Sequence, residues 1–424
     1  MHKDMVPHLT TALTGPLLAL EEHLLKHQVA IERWLRYQWQ ATPAPLTGSV
    51  DLRNAGFKVA PVDMNLFPAG FNNLNPDFMS LSIQAVQATF EHFHPKCNRI
   101  LLLPESHTRN QFYLENLAVL QEILVKSGFD VRVGSLREDM TGPESFDLPS
   151  GRKLTLEPLK RFDDKVGVEG FIPCIIWLNN DLSDGVPEIL KDVNQTVRPA
   201  IELGWYQRLK SSHFAHYQQV CEEFAEIIEI DPWLMNPLFR ECSGLDFIER
   251  VGTDALIGNA TSLLQEIQKK YDEYRVKEEP YIVVKADAGT YGMAVMTVRD
   301  PQELLTLNRK QRTRMMASKG GHAVDRVIMQ EGVYSYETFG KDDGVAEPVV
   351  YMIGHYVVGG FYRVHKARAA DENLNAPGMN FEPLAFVDNC NNPGDEEHNR
   401  FYAYGVIARL SMLAAAREKK EAQQ

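Results

Sequence analysis

The chain has 424 residues, of which 44% are hydrophobic and 24% charged, with a formal net charge of −13 at pH 7. This composition is typical of a globular protein with room for two or three domains, and the acidic balance argues against a general nucleic-acid binder, which normally carries a basic face. Anionic ligands are not excluded, because they need only a local cluster of Lys, Arg and backbone donors.

Five cysteines are spread along the chain without a CxxC pair: Cys97, Cys174, Cys221, Cys242 and Cys390. Their odd number and wide spacing argue against a disulfide framework and against a zinc site, so we expect core thiols in a reducing compartment. The first residues lack a continuous apolar core followed by a cleavage site, and no apolar run approaches membrane-spanning length. These patterns predict a cytoplasmic protein without a membrane partner.

The N-terminal part of the chain begins with a helical pattern and continues into a polar stretch. Apolar residues recur at threes and fours between residues 10 and 40, which predicts an amphipathic helix, and a linker with Pro and Thr follows at 41–47. The next stretch, SVDLRNAGFKVAPVDMNLFPAGFNNLNP, places many polar groups between short apolar pieces. Turn formation explains some of its Asn and Gly residues but not their density. We interpret it as a binding loop, with ordinary turns as the alternative.

An α/β pattern starts after residue 98. Residues 99–103 predict a strand, 110–127 a helix closed by Gly128, and 129–133 a second strand, which together make a strand–helix–strand unit. The segment PESHTRN, residues 104–110, follows the first strand, where open α/β sheets place their ligands.

Farther along, residues 171–178 predict another buried strand. Helices are predicted over residues 186–203, 214–230, 253–275, 301–319 and 399–417. The segment LGWYQRLKSSHF clusters Arg208, Lys210 and His213. A charged run of this kind is typical of a solvated helix face, and anion binding is the alternative.

The stretch YIVVKADAGTYGMAVMTV, residues 281–298, predicts two strands joined by a loop of small residues. Lys285 ends the first strand, and the loop holds Gly289 and Gly292. Backbone N–H groups of such a loop can approach phosphate oxygens, and a nearby ammonium supplies the counter-charge. A strand rather than a helix follows the glycines, so neither the Walker nor the dinucleotide motif fits. An ordinary hairpin with a solvated lysine is the alternative.

Two further features follow the hairpin. One is a strand that ends in Gln330-Glu331-Gly332-Val333, and the other is a second hairpin, over 347–366, that brings Arg363 and Lys366 to its far end. A polar loop containing Asn375 comes next.

The order of these features resembles the nucleotide-binding core of the ATP-grasp superfamily, in which two α/β lobes hold ATP between antiparallel sheets. The resemblance implies that Lys285 and Arg363 are catalytic and contact phosphate or acyl phosphate. It also implies that the segment from Glu331 to Val333 contacts adenine. The ATP-binding residues implied in this way are Lys285, Gly289, Thr290, Tyr291, Gly292, Gln330, Glu331, Val333, Lys366 and Asn375.

An acidic-x-Asn triplet, Asp63-Met64-Asn65, lies far upstream of the lysine hairpin. This order resembles the eukaryotic-type glutathione synthetases. Carboxylate and amide oxygens suit Mg²⁺, and on a strand Asp63 and Asn65 would project to one side. Asp287 or Glu347 is expected to complete the metal site, and Asp287 is placed in the predicted set. Turn formation is the alternative for the triplet.

Nearly the whole chain resembles the proteobacterial glutamate–cysteine ligases of ATP-grasp type, through SVDLRNAGFKVAPVDMNLFPAGFNNL, VVKADAGTYGMAVM, MQEGV and FYRVHKA…ENLNAPG. The resemblance implies an α/β (α+β) fold, with an N-terminal α/β substrate domain added to the ATP-grasp architecture. The predicted segments are 1–47 (helical), 48–205 (substrate and metal binding), 206–280 (helical connection) and 281–424 (nucleotide binding with a glycine-rich lid).

The implied reaction joins the glutamate side-chain carboxylate to the cysteine amine, with ATP and Mg²⁺ as cofactors. Arg53 and Arg109 are candidates for the glutamate α-carboxylate, because an Arg fork matches a carboxylate in two places, and Asn72 is a further substrate candidate. For each arginine a surface salt bridge is the alternative. Another ATP-grasp ligase, such as a glutathione synthetase, and a non-catalytic nucleotide-binding regulator are the alternative functions. The oligomeric state, including a homo-oligomer, is left open.

Overall fold

The structure is a computed structural model that describes residues 9–10, 15–106, 110–289, 295–316, 324–340, 342–383 and 400–422. The fold is mixed α/β, as predicted. Within the described residues, the helices are α1 (Gly15–Lys26), α2 (Gln28–Ala41), α3 (Met79–Phe93), α4 (Gln111–Lys126), α5 (Lys210–Ile228), α6 (Thr253–Tyr274), α7 (Arg309–Met316) and α8 (Arg400–Ala422). None of these helices is long and apolar enough to cross a membrane.

The strands in the described part of the chain form four sheets. They are β1 (Leu9–Thr10), β2 (Thr47–Asn54), β3 (Val59–Asn65), β4 (Arg99–Pro104), β5 (Asp130–Ser135), β6 (Glu144–Asp147), β7 (Lys153–Pro158), β8 (Lys160–Phe162), β9 (Lys165–Gly167), β10 (Ile175–Asn179), β11 (Thr196–Arg198), β12 (Phe239–Ser243), β13 (Ile282–Ala286), β14 (Val295–Val298), β15 (Arg326–Glu331), β16 (Glu337–Phe339), β17 (Gly344–Ile353), β18 (Tyr356–His365) and β19 (Asn380–Pro383). β8 and β9 pair only with each other.

The six-stranded sheet has the order β11–β10–β4–β5–β7–β6, and its neighbours are parallel except for β6 and β7. In β4, Ile100 and Leu102 contact one hydrophobic core, while Leu101 and Leu103 contact another. A parallel sheet with both faces covered requires such a continuous apolar strand. The predicted strand–helix–strand unit is therefore confirmed, and consists of β4, α4 and β5.

The seven-stranded sheet is antiparallel and is built around the long hairpin of β17 and β18. β16 and β2 pair with successive parts of β17, β3 pairs with β2, and β19 pairs with β18. The hairpin turns at Gly354, which has φ +55° and whose added Cβ would lie 2.6 Å from Thr89 Oγ1. Both conditions favour glycine. The predicted segments 48–205 and 281–424 thus share one sheet, and their division into domains stays a prediction.

The four-stranded sheet is also antiparallel, in the order β12–β15–β13–β14. One face packs on α6: Ile282, Val284 and Met329 share a core with Leu256 and Leu263. Side chains alternate along a strand, so the intervening residues of β13 and β15 point away from α6. The predicted hairpin at 281–298 is confirmed in its two strands, and its face away from α6 carries the candidate site.

The predicted helix over residues 186–203 is wrong. The chain instead forms single helical turns at Glu188–Leu190 and Ile201–Leu203, with the short strand β11 between them. Pro199 prevents a helix from continuing to residue 203, because proline lacks the N–H that a helix interior needs and disfavours helical backbone in the residue before it. Residues 196–198 pair with β10 instead.

The predicted solvated face at Arg208, Lys210 and His213 is also wrong, because all three side chains are buried. Arg208 donates to both oxygens of Glu418 in α8, at 2.8 and 3.1 Å, and His213 contacts the same carboxylate. A third bond from Arg208 reaches the carbonyl of Met64 at 2.9 Å. This cluster ties α5, α8 and β3 together by paired charges, as buried ions require.

We expect the Arg208–His213–Glu418 cluster to make stability fall in acid. Burial would raise the pKa of Glu418, but Arg208 and His213 outweigh it and hold that pKa well below its usual value. Burial lowers the pKa of His213. Both groups therefore bind fewer protons in the folded than in the unfolded state, so stability is lost as pH falls through about 6.5 (His) and then about 4.3 (Glu), the unfolded pKa values.

The measurement is urea unfolding at about pH 5 and at about pH 3.5, an interval that contains the unfolded pKa of Glu. Wild type should lose more free energy of unfolding over this interval than Glu418→Gln, whose side chain does not titrate. The same change at Glu226, on the exposed face of α5, is the matched control and should leave the pH slope as in wild type. An equal slope in wild type and Glu418→Gln would contradict the cluster's role.

The cysteines also correct an expectation. Cys97 and Cys174 form a disulfide, with Cα atoms 5.7 Å apart, and neither is a core residue, whereas Cys221 and Cys242 are free and buried as predicted. Wide spacing in sequence did not keep the first pair apart, because β4 and β10 are neighbours in the six-stranded sheet. Cys390 lies outside the described residues.

Candidate active site

Lys285 lies on the face of β13 that points away from α6, where the four-stranded and seven-stranded sheets meet. Its ammonium donates to the carbonyl of Val62 in β3 at 2.6 Å and to Gln330 Oε1 in β15 at 2.8 Å. Burial lowers the pKa of Lys285 to about 8, although the Asp63 carboxylate opposes this shift. The lysine thus spans both sheets.

Asp63 and Asn65 project to the same side of β3, as predicted, while Met64 between them is buried in the core. Lys210, at the start of α5, donates to both Asp63 oxygens, at 3.0 and 3.3 Å, and lies over the Trp205 ring. Burial would raise the pKa of Asp63, but the ammonium groups of Lys210 and Lys285 hold it well below its usual value. Asp63 is therefore an anion between two lysines.

Asp51 in β2 stands directly opposite Asp63 in the β2–β3 register. Burial raises the pKa of Asp51, and the nearby carboxylates of Glu347 and Asp63 add to the rise, while Arg363 opposes it. Three acidic side chains thus converge here. Sequence analysis missed Asp51 as a ligand candidate, although its place between Val50 and Leu52, two residues before Arg53, was a usable signal.

Arg363 in β18 donates to Asp51 Oδ2 at 3.0 Å and to Glu347 Oε1. Burial opposes its charge, but Asp51 and Glu347 raise the pKa of Arg363 above its ordinary value. Its Nε is buried and has no hydrogen-bond partner among the described residues. Gln330 Nε2 is likewise buried and has no hydrogen-bond partner among the described residues. A buried donor left without a partner costs free energy, so these two atoms mark where a ligand's acceptors are missing.

Arg53 is buried at the junction of the two sheets rather than free for a substrate. It pairs with Glu347 at 3.1 Å, and it donates to the carbonyl groups of Val333, at 3.2 Å, and Glu372. Its guanidinium also lies within hydrogen-bond distance of the Tyr281 hydroxyl. Arg53 therefore joins β2 to the segment after β15.

The Glu331 side chain turns away from the junction into a buried ion pair. Its carboxylate accepts from Lys58 Nζ at 2.7 Å, from Trp233 Nε1 at 3.1 Å and from the backbone N–H of Leu238 at 2.9 Å. The backbone is engaged too: Glu331 N–H donates to Leu238, and Val333 O accepts from Tyr281 Oη at 2.9 Å. The structure does not bring the Glu331 carboxylate into contact with Lys285.

Gly332 explains why the segment after β15 lies so close to β13. A Cβ at this position would lie 2.0 Å from the Tyr281 ring, so no other residue fits without displacing the ring. Its N–H donates to the Tyr281 carbonyl at 2.8 Å. Close packing against the Tyr281 ring thus requires glycine at this position of MQEGV.

Asp287, the predicted third metal ligand, caps the N-terminus of α5 with its carboxylate instead of facing Asp63. Its carboxylate accepts from the backbone N–H of Ser211 at 2.7 Å and from the Ser211 hydroxyl at 2.6 Å. This is a helix cap supplied by a distant residue. The cap is also what places Lys210, the residue before Ser211, beside Asp63. The sequence had favoured a solvated face for Lys210, with anion binding as the alternative, because the capping partner of α5 lies 76 residues away.

The other predicted site residues are scattered. Lys366 is exposed and pairs with Asp342, and Asn375 is exposed in the loop after β18. Asn72 lines a separate cavity of about 460 Å³ between α3 and α4. Gly289 adopts φ +87°, which favours glycine. Four predicted residues lie outside the described part of the chain: Arg109, Thr290, Tyr291 and Gly292.

Within the described residues, no group of three His, Cys, Asp or Glu side chains has the geometry of a metal site. The amide oxygen of Asn65 accepts from the Phe67 N–H at 2.9 Å, as in a turn. The class that the fold and site define is an α/β protein in which two antiparallel sheets enclose two lysines, two arginines and three carboxylates, a setting for a ligand rich in negative charge.

Comparisons with known proteins give the family. A family model described as glutamate-cysteine ligase matches residues 21–419, so the chain belongs to the glutamate–cysteine ligase family and is a ligase. A crystal structure from Methylobacillus flagellatus KT, of a protein assigned as a gamma-glutamylcysteine synthetase, is 54% identical and has a TM-score of 0.91. The match covers 98% of this chain and 99% of that one.

A second solved structure, D-alanyl-alanine synthetase A from Vibrio cholerae O1 biovar eltor str. N16961, is 10% identical with a TM-score of 0.35, over 74% of this chain and 81% of that one. This likeness is too low to bear on fold or function. A search of curated proteins gave no match. The predictions of family, fold class and ligase function are confirmed by the family match and the Methylobacillus structure.

Proposed function

We propose that the chain ligates the side-chain carboxylate of L-glutamate to the amine of L-cysteine, giving γ-glutamylcysteine, ADP and phosphate. The observation that carries this proposal is the convergence of Lys285, Lys210 and Arg363 with Asp51 and Asp63 between the two antiparallel sheets. Family membership supports ATP as the phosphoryl donor. The product is the first intermediate of glutathione biosynthesis, and a cytoplasmic location with small-molecule partners belongs to the same proposal.

The reaction requires little covalent chemistry from the protein itself. Phosphorylation of a carboxylate turns a poor leaving group into phosphate, and the neutral amine then attacks the acyl phosphate. Positioning and charge neutralisation supply most of the rate enhancement for such transfers. Lys285, whose pKa is about 8, and Arg363 supply fixed positive charge at the junction. The unpartnered N–H groups of Arg363 Nε and Gln330 Nε2 are suited to donate to phosphoryl oxygens.

The acidic residues at the junction fit a magnesium ion in their chemistry. Asp51 and Asp63 oppose each other on adjacent strands, and Asn65 is on the same side of β3 as Asp63. Carboxylate and amide oxygens are the ligands that Mg²⁺ prefers. We propose Asp51, Asp63 and Asn65 as its protein ligands, because the Asp287 carboxylate is bound to Ser211. When bound, the ion would neutralise charge on the phosphate oxygens.

The Arg53 guanidinium is engaged by Glu347 and two carbonyl groups, which favours a role in joining the sheets. Arg109 keeps its predicted role toward the glutamate α-carboxylate. It follows β4, and the carboxyl ends of strands in α/β sheets are where ligands bind. Asn72 stays a predicted substrate contact, and closure of the loop between β13 and β14 over the phosphates stays part of the proposal.

The experiment is release of inorganic phosphate from ATP by the purified chain with Mg²⁺, glutamate and single amino acids. We expect release to require both glutamate and cysteine, and serine in place of cysteine to serve as the matched control for the thiol. Phosphate release that cysteine does not stimulate would contradict the proposed amine. Release with γ-glutamylcysteine and glycine instead would indicate a glutathione synthetase.

A further inference from the structure

Cys97 and Cys174 lie side by side at the amino-terminal edge of the six-stranded sheet, where β4 and β10 begin. They are joined through their sulfur atoms, with Cα atoms 5.7 Å apart, within the range of protein disulfides. Cys174 is exposed and Cys97 half-buried. A small reagent in solution therefore has direct access to this sulfur pair.

Hydrogen bonds of the sheet hold the two cysteines together independently of the sulfur–sulfur bond. The N–H of Cys174 donates to the Arg99 carbonyl at 3.0 Å, and the next residue, Ile175, is opposite Ile100 in the parallel register. Asp130 N–H donates to the carbonyl of Asn98 at 2.9 Å on the other side. Reduction would thus leave two adjacent thiols in a fixed frame, and such proximity favours closing the disulfide again.

The backbone around Cys174 also suits it as the attacking thiolate. Its Sγ lies 3.3 Å from the backbone N–H groups of both Asn98 and Arg99. The Arg99 carbonyl oxygen lies 3.2 Å from the same sulfur, but the two N–H donors outnumber it and favour negative charge there. The thiolate is the nucleophile in disulfide chemistry. The free cysteines differ: burial raises the pKa of Cys221 to about 12 and also raises that of Cys242. They provide internal controls.

We propose that Cys97 and Cys174 form a thiol–disulfide exchange site for low-mass disulfides of the cystine class. The Cys174 thiolate attacks one sulfur of cystine, forming a mixed disulfide and releasing one cysteine. The Cys97 thiolate then attacks the Cys174 sulfur, forming the protein disulfide and releasing the second cysteine. Two electrons pass from the protein dithiol to cystine, the two thiol protons end on the released cysteines, and excess cysteine reverses both steps.

The exchange has a consequence for the fold. The disulfide closes a loop with a sequence separation of 77, which contains α4 and β4 to β9. Cross-linking a loop of this length restricts the unfolded chain and stabilises the folded state. The oxidised protein should therefore unfold at a higher temperature than the reduced one. Exchange at Cys97 and Cys174 is independent of the proposed ligation reaction, so an experiment can contradict either one without the other.

The test treats the reduced full chain with cystine, quenches with acid, alkylates free thiols and maps the peptides by mass spectrometry. We expect alkylation of Cys97 and Cys174 to fall together by at least about tenfold, a disulfide-linked peptide joining them, and Cys221 and Cys242 to stay alkylated. Added cysteine should restore alkylation of the pair.

Two variants separate exchange from adventitious oxidation. In Cys97→Ser the resolving thiol is missing, so Cys174 should accumulate as a mixed disulfide carrying one cysteinyl group. In Cys174→Ser the mixed disulfide on Cys97 should form at least about tenfold more slowly. Wild-type pairs that stay fully alkylated in cystine, or a Cys221 that oxidises as fast as Cys174, would overturn the proposal. An oxidised protein with no rise in melting temperature would overturn its consequence for stability.

Discussion

Replacing Lys285 by Ala is expected to lower kcat/KM for ligation by about 10²–10³-fold, the usual cost of removing one fixed group that stabilises transition-state charge. The lysine ammonium hydrogen-bonds to both Val62 in β3 and Gln330 in β15. Its charge lies between the sheets and beside Asp63. The effect should fall on kcat more than on the KM values of the amino acids, because the lysine is proposed to act on phosphate.

The measurement is initial-rate phosphate release, with thermal unfolding of the same samples to show that the fold is kept. Lys269→Ala, on the exposed face of α6, is the matched control and should retain wild-type activity. Undiminished turnover in a folded Lys285→Ala variant would remove this residue from the mechanism and with it the assignment of the β13–β14 hairpin to phosphate.

The largest expected loss of stability comes from Lys58→Met, at about 3 kcal/mol in the free energy of unfolding. Lys58 is 1% exposed, and its ammonium pairs with Glu331 and lies over the Trp233 ring. Methionine has a similar volume, but it leaves the Glu331 carboxylate buried without its cation. Removing one partner of a buried pair is costly for this reason, whereas replacing both partners is often tolerated.

Urea unfolding measures this loss, and two comparisons isolate its cause. Lys126→Met removes an exposed partner of Glu122 and should cost less than about 1 kcal/mol, as surface pairs do. Adding Glu331→Gln to Lys58→Met should recover part of the loss, because the second change removes the unpaired charge. A double variant less stable than Lys58→Met alone would show that the ion pair is not the source.

Local features of the sequence carried much of the fold. The apolar run of β4 and the periodicity of α4 predicted the strand–helix–strand unit. The small-residue loop after Lys285 predicted the β13–β14 hairpin. Alternation along β3 also put Asp63 and Asn65 on one side, as the structure has them. These features need only contacts between near neighbours, which is why periodicity is informative about them.

Features that depend on partners far away in the sequence were not predicted correctly. Arg208 and His213 have the composition of a solvated face, and only Glu418, about two hundred residues later, makes their burial possible. Asp287 has the position of a metal ligand, but the N-terminus of α5 takes its carboxylate. Cys97 and Cys174 are separated by 77 residues, and only the order of strands in the six-stranded sheet brings them together.

The most direct test of the proposed site is a crystal structure with ADP and Mg²⁺ bound. We expect the metal at about 2.0–2.1 Å from oxygens of Asp51 and Asp63. We expect Lys285 Nζ within about 3 Å of a phosphate oxygen, with the nucleotide between the four-stranded and seven-stranded sheets. Nucleotide bound away from these sheets, or a metal held without Asp63, would contradict the proposed site.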